Sequence, residues 1–313
     1  VLLAGGLLGG EFLLRLAGLH TPLLYERTGY GYRVVPGQSL SRFGNAVSYD
    51  AAGLRSAPVA AGDPRPRVLC LGDSITNGGT LSDQADTFPV VLERMLGERG
   101  TGVRVMNASA GGWAPANQLG WLRENGLQGA GVVVLTLNTL DLFQPLAGSD
   151  LVGSHPAFPD RAPRFALQEL FGRYLLPRLF GGADARDPGA AAPVPGEAAT
   201  RAPLEAVAAI ADLVRARRAV LAVMFVEQPA ELEPRGAVVD QAKQRLFTLL
   251  RERGVPLART REAMLAGGGA RLLRDGLHPN AAGNLVLAAA AAGLVSSALS
   301  SQSLGGGGID GQP

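Results

Sequence analysis

The sequence predicts an α/β protein built on a mainly parallel sheet with helices on both faces. Three observations predict it. The chain is long enough for one large core, with 313 residues, 47% hydrophobic and 18% charged. From Arg67 onward, short apolar runs alternate with segments of helical period. Those runs are uniformly apolar, as strands covered on both faces must be.

Residues 1–10 are apolar, and Glu11 and Arg15 interrupt a run that continues to Leu19. Ten uninterrupted apolar residues are too few for a bilayer span, which takes about 20. There is no basic leader region, and the sequence starts on Val1. Two readings stand, the tail of a truncated membrane anchor or an amphipathic first helix. Residues 20–66 carry Gly, Pro and Tyr without a sustained period and read as an irregular, partly extended arm.

The run Val68-Leu-Cys-Leu71, between Pro66 and Gly72, is the first buried strand. Thr87–Gly97 is a helix with Thr87 as cap, Pro89 in its first turn, and Phe88, Val91, Leu92 and Met95 at helical spacing. Val103–Met106 is a second strand, 116–124 a helix, and Val132–Leu137 a third strand. A helix over Leu204–Ala216 precedes a strand at Ala219–Phe225. A helix over Val238–Arg253 leads to Val255–Ala258, an edge strand because Pro256 cannot donate to a ladder. Ala281–Leu299 is a closing Ala-rich helix. Residues 181–203, rich in Gly, Ala and Pro, read as a flexible insertion, and 300–313 as a disordered Ser/Gly tail. Gly306, Gly308 and Gly311 have nucleotide-loop spacing, but neither a strand precedes them nor a helix follows.

Charge excludes some partners. The formal net charge is +2, from 29 basic and 27 acidic residues. Lys243 is the only lysine, and no basic stripe with interleaved aromatics is present, so a nucleic-acid partner is not expected. Cys70 is the single cysteine, so no intrachain disulfide forms. With only His20, His155 and His278 besides, a His/Cys zinc cluster is not expected.

Three short motifs carry chemistry. Gly72-Asp73-Ser74-Ile75-Thr76 follows the first strand, where open α/β sheets place ligands. It is not a GxSxG elbow, because Thr76 stands at the last Gly position; the plainer reading is a turn with Asp73 or Ser74 as helix cap. Asp275-Gly-Leu-His278-Pro-Asn280 sets a carboxylate three residues from an imidazole. One ring nitrogen can then be held while the other takes a proton from a serine. The same stretch also reads as a helix start capped by Asn280. Asn107-Ala-Ser-Ala-Gly-Gly112-Trp113 follows the second strand, where a glycine lets a backbone N–H approach an oxyanion, or forms an ordinary loop.

Together, in this order at strand ends, the three motifs resemble those of the SGNH, or GDSL, hydrolases across residues 67–299. Asp86-Thr-Phe-Pro89 is similar to the family's first helix. Val47-Ser-Tyr-Asp-Ala-Ala-Gly-Leu-Arg55 resembles the stretch that precedes this domain in membrane-anchored bacterial members, with Asp50 where Asn is usual. The resemblance implies a three-layer α/β/α sandwich around a five-stranded, flavodoxin-like sheet. It implies a serine esterase with Ser74 as nucleophile, His278 as base and Asp275 as its orienting carboxylate. The Ser74 and Gly112 N–H groups would form the oxyanion hole, and no metal or organic cofactor is implied. The expected partner is a small-molecule or glycan ester, with membrane association through residues 1–19 and an anchored or extracytoplasmic location ahead of a cytoplasmic one. One block departs from the pattern. Where Gly-x-Asn-Asp is usual, the chain has Asn138-Thr-Leu140-Asp141, and Leu140 cannot donate to an oxyanion. Asn138 is the substitute candidate if a bulge carries it forward by roughly 7 Å, two strand residues. An envelope polysaccharide O-acyltransferase and a degenerate glycan- or protein-binding member stay open as alternatives.

Overall fold

The computed structural model describes residues 2–180, 197–227 and 237–305. The chain opens with helix α1 (Leu2–Leu16) and two antiparallel hairpins. These are β1 (Tyr25–Thr28) with β2 (Gly31–Val34), and β3 (Ser39–Arg42) with β4 (Asn45–Ser48). The arm is therefore more regular than its sequence suggests. The β3–β4 turn is made by Phe43 at φ 52° and Gly44 at φ 80°, the paired positive angles of a type I′ turn. Phe at such a position is unusual, so the turn has none of the usual Asn-Gly signal. Gly31 has no alternative, since a Cβ there would lie 2.3 Å from the Ala147 carbonyl oxygen.

The main sheet has strands β5 (Arg67–Gly72), β6 (Arg104–Ser109), β7 (Val132–Asn138), β8 (Val220–Val226) and β9 (Leu257–Arg259). All pairings are parallel, in the order β6-β5-β7-β8-β9. This is the expected flavodoxin-like order, with β9 the short edge strand. The helices are α2 (Ser74–Asn77), α3 (Phe88–Glu98), α4 (Pro115–Asn125), α5 (Ala166–Glu169), α6 (Leu176–Phe180), α7 (Arg201–Ala216), α8 (Ala237–Glu252), α9 (Arg261–Ala266) and α10 (Ala281–Gly305).

The strands bury both faces. In β7, Val133, Leu135 and Leu137 join the core beneath α4, α7 and α8, where Leu122, Ile210, Val214 and Leu246 pack. Val132 and Val134 face the other way, against Phe88, Leu92 and Leu96 of α3 and Leu287, Ala291 and Val295 of α10. Each such side chain contributes about 1.5–3 kcal/mol on burial, which is why neither face of this strand alternates with polar residues. By length and composition Ala281–Gln302 could cross a membrane. Here one face of it, with Leu287, Ala291 and Val295, packs into the core, while Leu285 is exposed.

Two boundaries differ from the sequence reading. Of the expected insertion, Glu197–Thr200 is a 3₁₀ turn, and α7 starts at Arg201, so residues 201–203 are helical. Residues 300–305 continue α10 rather than beginning a tail, because Gln302 Nε2 donates to the Gly131 carbonyl at 2.8 Å and holds the last turns to the sheet end. Residues 181–196 and 306–313, with the Gly306, Gly308 and Gly311 spacing, lie outside the described residues. In α1, Glu11 pairs with Arg15 at 2.7 Å and accepts from the Ala166 and Leu167 N–H groups at 2.8 and 3.0 Å. The charges that interrupt the apolar run thus dock α1 onto α5, while Leu8, Phe12, Leu13 and Leu16 remain exposed.

The arm is fastened to the α/β domain by polar groups. Trp113 Nε1 donates to the Tyr32 carbonyl at 2.8 Å, and Asn117 Nδ2 to that of Tyr30 at 2.7 Å. Arg55 is fully buried, and its guanidinium donates to the carbonyls of Asn77, Gly79 and Ser82 and to Gln84 Oε1. Removing it strands three carbonyl oxygens, at about 1–3 kcal/mol for each one left buried. Arg55→Leu is expected to lower Tm by on the order of 5 °C or more, read by scanning calorimetry. A Tm within a degree of the wild type would show that the loop does not depend on this side chain.

Candidate active site

Strand β5 ends against a turn too tight for any residue but glycine at position 72, since a Cβ there would lie 2.1 Å from Thr76 Oγ1. The chain then enters α2, with Asp73 as its cap: Asp73 Oδ1 accepts from the Ile75 N–H at 2.9 Å. Ser74 is thereby the first residue of α2, at the carboxyl end of β5. After β5 the chain steps to β6 on one side, then crosses to β7 on the other. That switch in strand order opens the crevice in which such sheets bind ligands.

His278 comes from the loop ahead of α10. Asp275 Oδ1 accepts from the N–H groups of Leu277 and His278 at 3.2 and 2.8 Å, and Gly276 at φ 84° lets the chain fold back around the carboxylate. Asp275 Oδ2 lies 2.8 Å from His278 Nδ1, and His278 Nε2 lies 3.0 Å from Ser74 Oγ. With Nδ1–H directed at the carboxylate, the Nε2 lone pair faces the serine hydroxyl. Partial burial pushes the Asp275 carboxyl up, but the imidazole and the two N–H donors outweigh it and hold it well below the usual range. Asn280 does cap α10, its Oδ1 accepting from the Gly283 N–H at 3.0 Å, so both readings of this stretch hold together.

The glycine loop after β6 faces the same cleft. Gly112 has φ 76°, and a Cβ there would come within 2.9 Å of Tyr32 Oη. That hydroxyl donates to the Gly111 carbonyl at 2.7 Å, so the arm sets the position of the loop. The cleft is about 580 Å³ and is lined by Ser74, Gly112, Leu140 and His278 among others. An arrangement of this kind can pass a proton from a hydroxyl to an imidazole while backbone donors meet charge on a bound carbonyl oxygen.

Asn138 is not part of that lining, which corrects the sequence expectation. Strand β7 stays regular to its end, with Asn138 in register opposite Val226, so no bulge carries it forward. Its Nδ2 donates to Asp73 Oδ2 at 2.9 Å, and its Oδ1 accepts from the Leu140 N–H at 2.7 Å. Asn138 thus braces Asp73 from behind, and Leu140 lines the cleft.

Asp141 is the second buried carboxylate there. Its Oδ2 accepts from the Asn138 N–H at 2.7 Å, and its Oδ1 has no partner among the described residues. Burial pushes Asp73 up to about 6. Burial, with the neighbouring Asp73 charge, raises Asp141 well above the ordinary carboxylate range. Sequence reasoning also missed Tyr25, Phe158, Arg173, Arg178 and Arg274, all of which line the cleft. Only Arg274, next to Asp275, had a sequence signal; the others come from segments without a motif.

The family model for GDSL-like lipases and acylhydrolases matches residues 70–286. Among solved structures, the chain is similar to TesA at 18% identity over 74% of this chain and 98% of that one, with a TM-score of 0.47. It is similar to a catalytic mutant of Axe2, an acetylxylan esterase from Geobacillus stearothermophilus, at 14% identity, 76% and 95% coverage and a TM-score of 0.47. The psychrotrophic esterase EstA from Pseudoalteromonas sp. is similar at 15% identity, 75% and 98% coverage and a TM-score of 0.45. No curated protein matches the sequence.

The Asp73–Asp141 pair makes stability depend on pH. A carboxyl whose folded value is raised binds its proton more tightly in the folded state, so its contribution is complete below about pH 4 and is lost as pH rises through the folded value. Asp141→Asn keeps an acceptor for the Asn138 N–H and removes the buried charge. Its Tm should match the wild type near pH 4 and exceed it by about 3 °C or more at pH 8. A variant less stable than the wild type at pH 8 would show that the ionised carboxylate is stabilising.

Proposed function

Since the chain belongs to the GDSL-like lipase/acylhydrolase family and is an ester hydrolase, we propose that it cleaves short-chain carboxylic esters through Ser74, His278 and Asp275. The observation that carries this reading is the unbroken line from Asp275 Oδ2 to His278 Nδ1, 2.8 Å, and from His278 Nε2 to Ser74 Oγ, 3.0 Å.

Ser74 Oγ attacks the ester carbonyl as its proton passes to His278 Nε2. Asp275 holds the ring in the required tautomer and stabilises the imidazolium. The tetrahedral oxyanion is met by the Ser74 and Gly112 N–H groups, the first at the N-terminus of α2. His278 returns the proton to the departing alkoxide, leaving an acyl-serine. Water then attacks the acyl carbon, again giving its proton to His278, and the carboxylic acid leaves as Ser74 recovers its hydrogen.

A second reading, a member that binds its ester with little turnover, draws on Leu140. This apolar side chain lines the cleft where the family pattern has an amide donor. Loss of one oxyanion donor lowers the rate by about 100- to 1,000-fold in a protease, which favours a slow enzyme over an inert one.

Ser74→Ala and His278→Ala should each lower kcat on short-chain aryl esters by about 1,000-fold or more, with circular dichroism unchanged. The double variant should be little worse than either single one, because both changes disable one proton-transfer unit. Wild-type turnover by folded Ser74→Ala would overturn the assignment.

Leu140→Asn offers an amide N–H to charge that develops only in the transition state, so kcat should rise by about tenfold with little change in KM. An unchanged kcat would show that the end of β7 does not face the oxyanion.

A further inference from the structure

The oxyanion donor of the glycine loop is one half of an amide. The N–H of Gly112 belongs to the same peptide unit as the carbonyl of Gly111, and in a trans amide the two groups point in opposite directions. A partner that fixes the Gly111 oxygen therefore also aims the Gly112 hydrogen. That partner is the Tyr32 hydroxyl, which donates to the Gly111 carbonyl at 2.7 Å. The Gly112 N–H itself has no acceptor among the described residues, which leaves it for a ligand in the cleft that Gly112 lines. Gly111 sets the unit beside the nucleophile, since a Cβ built on it would lie 4.0 Å from the Ser74 Cβ.

This amide needs holding. It joins two glycines, so no side chain on either flank opposes rotation of the peptide plane. A half-turn would carry the N–H away and put a carbonyl oxygen, with its negative end, where the oxyanion develops. Tyr32 is a rigid anchor against that turn. It is fully buried on β2, its ring packed edge-on to Tyr25 at 6.0 Å and tilted against Phe158 at 4.6 Å. Its own carbonyl accepts from Trp113 Nε1 at 2.8 Å. Tyr32 thus grips the glycine loop at two points, by its side chain at Gly111 and by its main chain at Trp113.

The same hydrogen bond acts through the amide electrons. A donor on the carbonyl oxygen draws density from the nitrogen and makes the N–H a stronger donor, by about 10–30% per bond in a linked chain. The gain is realised where negative charge appears on the substrate oxygen, in the transition state.

We propose that Tyr32 is a positioning residue for the oxyanion hole, its hydroxyl orienting and polarising the Gly111–Gly112 amide. The N-terminal arm then takes part in transition-state stabilisation from outside the cleft lining. The proposal rests on the esterase reading, with the Gly112 N–H as an oxyanion donor.

The test compares phenyl acetate with its thionoester, in which sulfur replaces the carbonyl oxygen and accepts poorly from N–H donors. Tyr32→Phe removes the hydroxyl and keeps the ring. It should lower kcat on the oxygen ester by about tenfold, with KM within about twofold of the wild type. The thionoester rate should hardly change, so the ratio of oxygen ester to thionoester falls. An unchanged kcat on phenyl acetate, or an equal loss on both substrates as general loosening of the loop would give, overturns the proposal. If Tyr32→Phe does not fold, 4-aminophenylalanine at position 32 offers a weaker donor on the same ring. The ratio should then fall by about threefold, and an unchanged ratio overturns the proposal. If the wild type turns over neither substrate, the esterase reading fails by itself. Trifluoroacetophenone then decides, as it does if only the oxygen ester reacts. Ser74 Oγ adds to its carbonyl carbon, the serine proton passes to His278, and the ketone oxygen becomes the oxyanion. Fluorine NMR should show the wild-type adduct about tenfold tighter than that of Tyr32→Phe or the 4-aminophenylalanine variant. Equal affinities, or no adduct, overturn the proposal.

Discussion

A single buried guanidinium organises much of the site. Arg55 enters from the arm, finds no hydrogen-bonded carboxylate among the described residues, and is held by three backbone carbonyls and a glutamine from the stretch that follows Ser74. A charge cannot be left unpaired in a protein interior without a penalty of several kcal/mol. The loop must therefore curl around the guanidinium, which brings Gly79, Thr80 and Leu81 to the cleft wall. The arm is thus part of the site rather than a spacer. Tyr32 adds a second tie by holding the Gly111 carbonyl, and Tyr49 a third through Asn77 Oδ1 at 3.0 Å.

Behind the serine lies a second polar layer. Asn77 Nδ2 reaches the Ser109 carbonyl at 2.9 Å, Asn107 Nδ2 reaches the Thr76 carbonyl at 2.9 Å, and Asn138 spans Asp73 and Leu140. Side chains from the ends of β6 and β7 thus hold the turn after β5 from both sides. The nucleophile sits on a short helix whose start and end are tied to neighbouring strands, which limits how far Oγ can drift from His278. The same layer stores the two raised carboxyls of Asp73 and Asp141, so stability is surrendered where the serine turn is made rigid.

The electrostatics of the cleft divide into two parts. Around the serine, charge is matched: Asp275 against His278, with backbone donors for a transient oxyanion. Toward Arg173, one carboxylate, Glu169, is shared with the buried Arg42. The serine turn and the glycine loop follow strands of the sheet, Asp275 and His278 come from the loop ahead of α10, and Arg173 and Arg178 of the cleft wall come from the chain between β7 and α7.

The sequence by itself determined the sheet and the chemical motifs. Runs such as Val132–Leu137 have no polar face and must be covered on both sides, and Gly-Asp-Ser and Asp-x-x-His each act within a few residues, so their local geometry is written in their spacing. What only the tertiary structure decided involves residues far apart in sequence. The arm's hairpins turn on Phe43 and Gly44, without a recognisable turn pair. Asn138 faces Asp73 rather than the cleft because β7 remains in register with β8 to its last residue, and register is a property of two strands. The pairing of Arg55 with the loop after Ser74, and the gathering of Arg173 and Arg178 at the end of the cleft, depend on how the arm and the 166–180 segment pack. Hydrophobic periodicity says which face of an element is buried, but a buried cation finds its carbonyls only when the chain closes around it.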